Sequence, residues 1–271
     1  MALGQITKAV LALLLLAPQM QVLPGVLDPK KAASSSCSSS AASSVTYDWQ
    51  FYNTSLTYNS CGTTGGSACT NGANHYSSTD LVAGNVATQT TSTKQPIWTT
   101  GEVNSLAADV YTAANDEFFT AASPVVPTGW THISGFAVLK TSSSSTGSIF
   151  GGTPTSTSIY WEALGNHKQQ LFVGGTSISY GTAYTANTWY MWWFDWNISS
   201  GVYSIGHCAS STCTADASGT TTASYTVAAS SIGYSNSTGG YAGYPIAELA
   251  VYNGAANTTC WAQYSHGTYN F

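Results

Sequence analysis

The groups in this 271-residue chain that could do chemistry are six cysteines, eleven carboxylates and five histidines. Cys61 and Cys69 bracket a Gly-rich loop, CGTTGGSAC, and Cys208 and Cys213 bracket CASSTC; both read as stapled hairpin or loop tips. Pairing these four leaves Cys37 and Cys260 to tie the two ends together, although spacing alone admits other pairings. The alternative is zinc, with His207 beside Cys208, but no CxxC pair or second histidine completes a ligand set. The carboxylates bear on glycoside hydrolysis, which needs two of them about 5–5.5 Å apart for retention or roughly 6.5–9.5 Å apart for inversion. Asp116 and Glu117 are adjacent, so on a strand they point to opposite faces. Glu162 and Glu248 each stand alone in their segments. The histidines (His75, His132, His167, His207, His266) show no metal-protease spacing, and there is no nucleophile elbow or phosphate loop. The residues therefore point to binding rather than catalysis.

Sugar sites set aromatic faces against the apolar face of the ring and use amides, carboxylates and backbone groups for the hydroxyls. The loop SIGYSNSTGGYAGYP places Tyr234, Tyr241 and Tyr244 among small polar residues with Asn236 between them, and Trp161 in YWEALGNHK adds to a rim. Trp49, Trp189 and Trp193 read instead as core. Asn53, Asn197, Asn236 and Asn257 each open an N-x-Ser/Thr sequon, which carries meaning in a eukaryotic secretory route and none in a bacterial or phage setting.

Several elements must position these groups. Aromatics make up 13% of the chain and charged residues only 6%, against about 25% in an average soluble protein. There is no arginine, and the net charge is -5. Phosphate-backbone binding needs clustered cations, so nucleic acid is excluded as a partner. Disorder is disfavoured because disordered chains are charged and poor in aromatics. The surface must be Ser, Thr, Asn, Gly and Tyr, which with an even cysteine count suits an oxidising compartment.

Residues 9–17 (AVLALLLLA) are too few to span a bilayer, since that takes about 20 apolar residues. The expected organisation is an apolar N-terminal segment over 1–31 that serves as export signal, anchor or docking helix. A Ser/Ala-rich linker follows over 32–44, and one folded domain over 45–271. Beyond Val45, short β-branched and aromatic runs alternate with Gly, Ser, Thr and Asn clusters, the all-β pattern. Strands are predicted at Thr46–Tyr52, Ala107–Tyr111, His132–Lys140, Ser148–Phe150, Ser158–Glu162, Gln169–Val173, Trp189–Asp195, Val202–His207 and Ile246–Tyr252. Alternation puts Ala247, Leu249 and Val251 on the core face of the last. The run Trp189–Phe194 is apolar on both faces, so it must be a central strand covered on both sides.

Four segments carry a family likeness: Tyr47–Phe51; Gly84–Phe119, beginning GNVATQ; TANTWYMWWFDW with GVYSIGH; and GYPIAELAVYN at 243–253. In this order they resemble the concanavalin A-like lectin/glucanase superfamily in its laminin-G-like (LamG) branch, over about residues 45–260. Tyr111-Thr112 and Ile205-Gly206 depart from the family's Asp-Gly and Asn-Gly turns. The resemblance implies an all-β, two-sheet antiparallel jelly-roll sandwich with binding at a rim or on the concave face. Catalytic members carry Glu and Asp at alternating positions of one strand, E-x-D-x-E, and this chain has no such run. LamG relatives often hold calcium at a rim, which implies Asp80, Asn115 and Asp116 as calcium ligands; the competing reading makes Asn115-Asp116 a turn before Phe118. The sandwich hosts several functions. The expected function is non-catalytic carbohydrate binding or adhesion, extracellular or exposed on a cell or virion surface. The partners are a glycan and, through the N-terminal segment, a larger assembly. The alternatives are a structural or decoration protein without glycan binding, and a divergent glycan hydrolase.

Overall fold

The computed structural model describes residues 45–141, 146–154, 156–165, 168–180, 184–209, 211–235 and 240–270. The segments 1–31 and 32–44, Cys37 and Asn236 lie outside them. The described residues form an antiparallel β-sandwich. In the first sheet, β13 (Trp189–Asn197) lies between β8 (His132–Lys140) and β14 (Val202–Ala209), and β14 pairs with β15 (Thr212–Thr220). On the other side β8 pairs with β17 (Pro245–Tyr252), whose far edge is shared by β1 (Val45–Gln50) and β6 (Leu106–Val110); β5 (Ile97–Val103) pairs with β6.

The second sheet begins β12 (Thr176–Tyr180), β11 (Lys168–Val173), β10 (Ile159–Leu164), β9 (Gly147–Gly151). It continues through β16 (Ser231–Ile232), β7 (Phe119–Ala121), β4 (Val86–Thr88), β3 (Ala73–Thr79) and β2 (Asn59–Cys61). Strand β3 also pairs with β5, which joins the sheets at one corner.

The inner faces meet in one aromatic core. Trp192, Phe194 and Trp196 of β13 face Phe150 and Trp161 of the second sheet, with Phe194 and Trp161 ring centroids 5.0 Å apart. The outer face of β13 presents Met191 and Trp193 to a second cluster that includes Phe136, Trp261 and Tyr269. The covering layer over that face includes α1 (Thr258–Tyr269), an element the sequence reading did not pick out. Asn257 caps it by accepting from the Cys260 N–H at 3.0 Å. Glu248, fully buried in β17, fastens the helix by accepting from the Tyr264 and Tyr269 hydroxyls. No helix among the described residues is long and apolar enough to cross a membrane.

One alternation fails. A bulge between Ile246 and Glu248 shifts the register of β17. Ile246, Leu249 and Val251 therefore enter the inner core, and Ala247 turns outward to join Ala250. Cys61 is bonded to Cys69 and Cys208 to Cys213, the latter pair directly opposed across β14 and β15. Cys260 is not a free thiol; its expected pairing with Cys37 falls outside the described residues.

Candidate functional site

Strand β10 sends Ile159, Trp161 and Ala163 into the core, so Tyr160 and Glu162 point to the opposite, outer face of the second sheet. Residues directly opposed in an antiparallel pair share a face. Glu162 is opposed by Ser148 on β9 and Gln170 on β11, and Tyr160 by Gly151 and Phe172. The result is two adjacent rows. One is polar: Ser148, Glu162, Gln170. The other is aromatic, with Tyr160 and Phe172 stacked at 4.6 Å.

The segment around Tyr234–Tyr244 is laid against this face. Ser235 hydrogen-bonds Ser148 through their hydroxyls, and the Ser148 N–H donates to the Gly240 carbonyl. Close approach requires glycine on β9. A β-carbon on Gly151 would lie 2.4 Å from the Ser235 β-carbon, and one on Gly147 would lie 2.0 Å from the Tyr241 carbonyl oxygen. A bridge between Tyr234 and Tyr241 closes the loop, and their rings stack at 4.4 Å. Phe118 packs beside them at 5.3 and 5.8 Å. Both tyrosines are partly exposed, and this stack sits next to the polar row.

Glu162 is the unusual member. Its side chain is buried (2% exposed), and Oε2 has no hydrogen-bond partner. Burial pushes its carboxyl up to about 7. The neighbouring Tyr244 hydroxyl is itself held well above the usual phenol range, first by burial and then by the Glu162 charge. The other acids near this face are committed. Glu117 accepts from Asn115 Nδ2 and the Thr112 N–H, and Asp116 pairs with Lys94 at 3.4 Å in a half-exposed contact.

The candidate residues separate accordingly. Tyr234 and Tyr241 form the exposed stack. Tyr244 does not join it; its ring is buried in the core and its hydroxyl donates to the Gly147 carbonyl at 2.8 Å. Trp161 is fully buried, with its indole N–H on Gln169 Oε1, because the alternation of β10 turns it inward rather than to a rim. Asn236 lies outside the described residues.

The three implied calcium ligands take other partners. Asp80 is buried, and its oxygens accept the backbone N–H groups of Asp48, Val82, Ala83 and Asn85 at 2.6–3.3 Å. This is a loop clamp. Asn115 and Asp116 make a turn: Ala113–Asn115 is one 3-10 turn, ended by Asp116 in the left-handed conformation. Among the described residues, one group of three His, Cys, Asp or Glu side chains converges closely enough to share an ion. It is Cys61, Cys69 and His75, whose two sulfurs are joined in a disulfide. His75 is spoken for as well, by Asp109 at 2.7 Å and the Ser77 carbonyl at 2.9 Å.

Sequence reasoning set Glu162 aside as solitary and missed Ser148, Gln170, Ser235 and Phe118. The signal for Glu162 was local: an acid in the apolar strand IYWEAL must face a covered surface whichever way the strand turns. The others come from chain segments that only the sheet brings together.

The described residues thus form an antiparallel β-sandwich with an aromatic stack at one edge of a buried polar row. No family model matches the chain, and no curated protein matches it. Solved structures do. Domain 4 of AbnA, a GH43 extracellular arabinanase from Geobacillus stearothermophilus solved with arabinotriose, superposes with a TM-score of 0.51 at 13% identity, over 81% of this chain and 97% of that domain. A variant of a GH54 α-L-arabinofuranosidase soaked with 4-nitrophenyl α-L-arabinofuranoside superposes with a TM-score of 0.53 at 12% identity, over 71% of this chain. The match spans half the length of that enzyme. At these identities the likeness establishes the sandwich fold.

Proposed function

We propose that this chain is a carbohydrate-binding module of LamG-like type, acting outside the cell, whose site is the outer face of the second sheet. The observation that carries this is the half-exposed Tyr234–Tyr241 stack beside the buried polar row of Glu162, whose Oε2 has no hydrogen-bond partner. The stack offers a flat apolar surface for a sugar ring. The buried Ser148, Glu162 and Gln170 row lies beneath and holds the stack in place through Ser235. Lys94, the cation nearest Asp116 and the tyrosine stack, is already paired with Asp116, and the favoured ligand is a neutral oligosaccharide rather than a sialylated or uronic one. The arabinotriose complex of the AbnA domain supports an oligosaccharide of this kind.

Binding is favoured over turnover because hydrolysis needs a second carboxyl, and the nearest acids to the tyrosine stack, Asp116 and Glu117, are tied to other groups. One observation favours a second reading. A carboxyl held near 7 is suited to proton donation at neutral pH, which a divergent glycoside hydrolase would use. Affinity electrophoresis through gels containing arabinan, xylan, galactan or β-glucan tests the proposal. Retardation by at least one, lost on Tyr241→Ala, is the expected result. Release of reducing ends that stops on Glu162→Gln would establish the hydrolase instead. A folded protein that migrates freely in every gel would leave only a structural role.

A further inference from the structure

The sequons Asn53-Thr-Ser, Asn197-Ile-Ser and Asn257-Thr-Thr lie far apart in the chain, yet their asparagines share one local geometry. Each uses its side-chain oxygen in a turn or cap. Asn53 Oδ1 accepts the Ser55 N–H at 3.0 Å, Asn197 Oδ1 the Ser200 N–H at 3.0 Å, and Asn257 Oδ1 the Cys260 N–H at 3.0 Å. None of the three donates from Nδ2 among the described residues. Five other asparagines, Asn59, Asn74, Asn85, Asn104 and Asn115, spend Nδ2 on hydrogen bonds within the fold, so an Nδ2 engaged in this way is common here but not at the sequons. The sequon hydroxyl residues Ser55, Ser199 and Thr259 are exposed.

We infer that Asn53, Asn197 and Asn257 are N-glycan acceptors, modified at Nδ2 by transfer from a lipid-linked oligosaccharide pyrophosphate. In that transfer the Nδ2–C1 bond forms as the C1–O bond to the pyrophosphate breaks. The lipid pyrophosphate leaves with the electron pair, and one Nδ2 proton passes to the transferase. The folded chain accommodates the product because, among the described residues, the hydrogen bonds these side chains make run through Oδ1, which the modification leaves intact. The three acceptors also lie away from the proposed sugar site. Asn53 lies between β1 and β2, Asn197 ends β13 and Asn257 caps α1, whereas Tyr234 and Tyr241 flank the segment laid on β9. Asn236 lies outside the described residues and takes no part in this inference.

The test is secretion of the full chain from a eukaryotic host, followed by peptide mapping after enzymatic glycan release, which converts each modified asparagine to aspartate. Conversion at positions 53, 197 and 257 is the expected result. Ser55→Ala, Ser199→Ala and Thr259→Ala should each remove one glycan from the intact mass while leaving the asparagine and its turn in place. Secreted, folded protein in which all three asparagines remain unconverted would overturn the inference. Neither outcome depends on whether the second sheet binds sugar.

Discussion

Gly147 lies directly beneath the backbone of Tyr241, so close that a β-carbon at 147 would stand 2.0 Å from the Tyr241 carbonyl oxygen. Gly147 also has φ of 125°, a conformation that L side chains rarely adopt. This contact fixes the height of the tyrosine stack above β9, and through Ser148 and Ser235 it fixes the stack relative to Glu162. Gly147→Ala should therefore lift the 240–242 segment, lower stability by roughly 1–3 kcal/mol and abolish saccharide binding. Thermal unfolding with affinity electrophoresis checks it. A variant that retains full affinity would show that the stack does not depend on β9.

Glu162 should limit stability in a pH-dependent way. Its folded-state carboxyl is raised from 4.5 to about 7, so the folded protein holds the proton more tightly than the unfolded chain. The favourable contribution is complete below the unfolded value, is lost as pH rises through the interval to about 7, and stays lost above it. By linkage the loss is on the order of 3 kcal/mol at most. Glu162→Gln keeps the shape without the charge, so it should match the parent at pH 4 and be the more stable of the two at pH 8.5. Urea denaturation at both pH values measures this. Equal midpoints at pH 8.5 would mean that the carboxylate is solvated.

Asp80 and Asp116, grouped as ligands by the sequence, should behave in opposite ways. Asp80→Ala strips the acceptor from four backbone N–H groups and should cost about 2–4 kcal/mol. Asp116→Asn removes one half-exposed ion pair and keeps a residue type that tolerates the left-handed conformation, so its effect should stay within about 0.5 kcal/mol. Denaturant midpoints of the two variants separate a clamp from a surface contact; equal losses would contradict this account of the loop.

Glu248 is predicted to govern the docking of α1. Glu248→Ala leaves the buried Tyr264 and Tyr269 hydroxyls without their acceptor. The expected consequence is loss of hydrogen-exchange protection over residues 258–269 while β8 and β13 remain protected. Uniform loss across all three elements would show that the helix and first sheet open as one unit.

The sandwich was legible because its strongest strands are locally unambiguous. His132–Lys140 falls at the predicted bounds, and Trp189–Phe194, apolar on both faces, lies between β8 and β14 with clusters on either side. The helix escaped notice because its buried face is built from Trp261, Ser265 and Tyr269 rather than an aliphatic stripe. The bulge in β17 escaped because it is set by pairing with β8, not by its own residues. The geometry of the candidate site was half legible. Tyr234 and Tyr241 stand out in a glycine-rich loop, but Tyr244, three residues on, is turned into the core to satisfy the Gly147 carbonyl. Glu162 gains its meaning only from what β9 and β11 place beside it.

The measurement that bears most directly on the central claim is an array of neutral, sialylated and uronic oligosaccharides. It would be probed with the full chain, disulfides intact, alongside Tyr241→Ala and, as a control on the first sheet, Tyr203→Ala. The account predicts specific binding to neutral glycans that Tyr241→Ala loses and Tyr203→Ala keeps. A blank array from folded protein, or a signal indifferent to Tyr241, would contradict it.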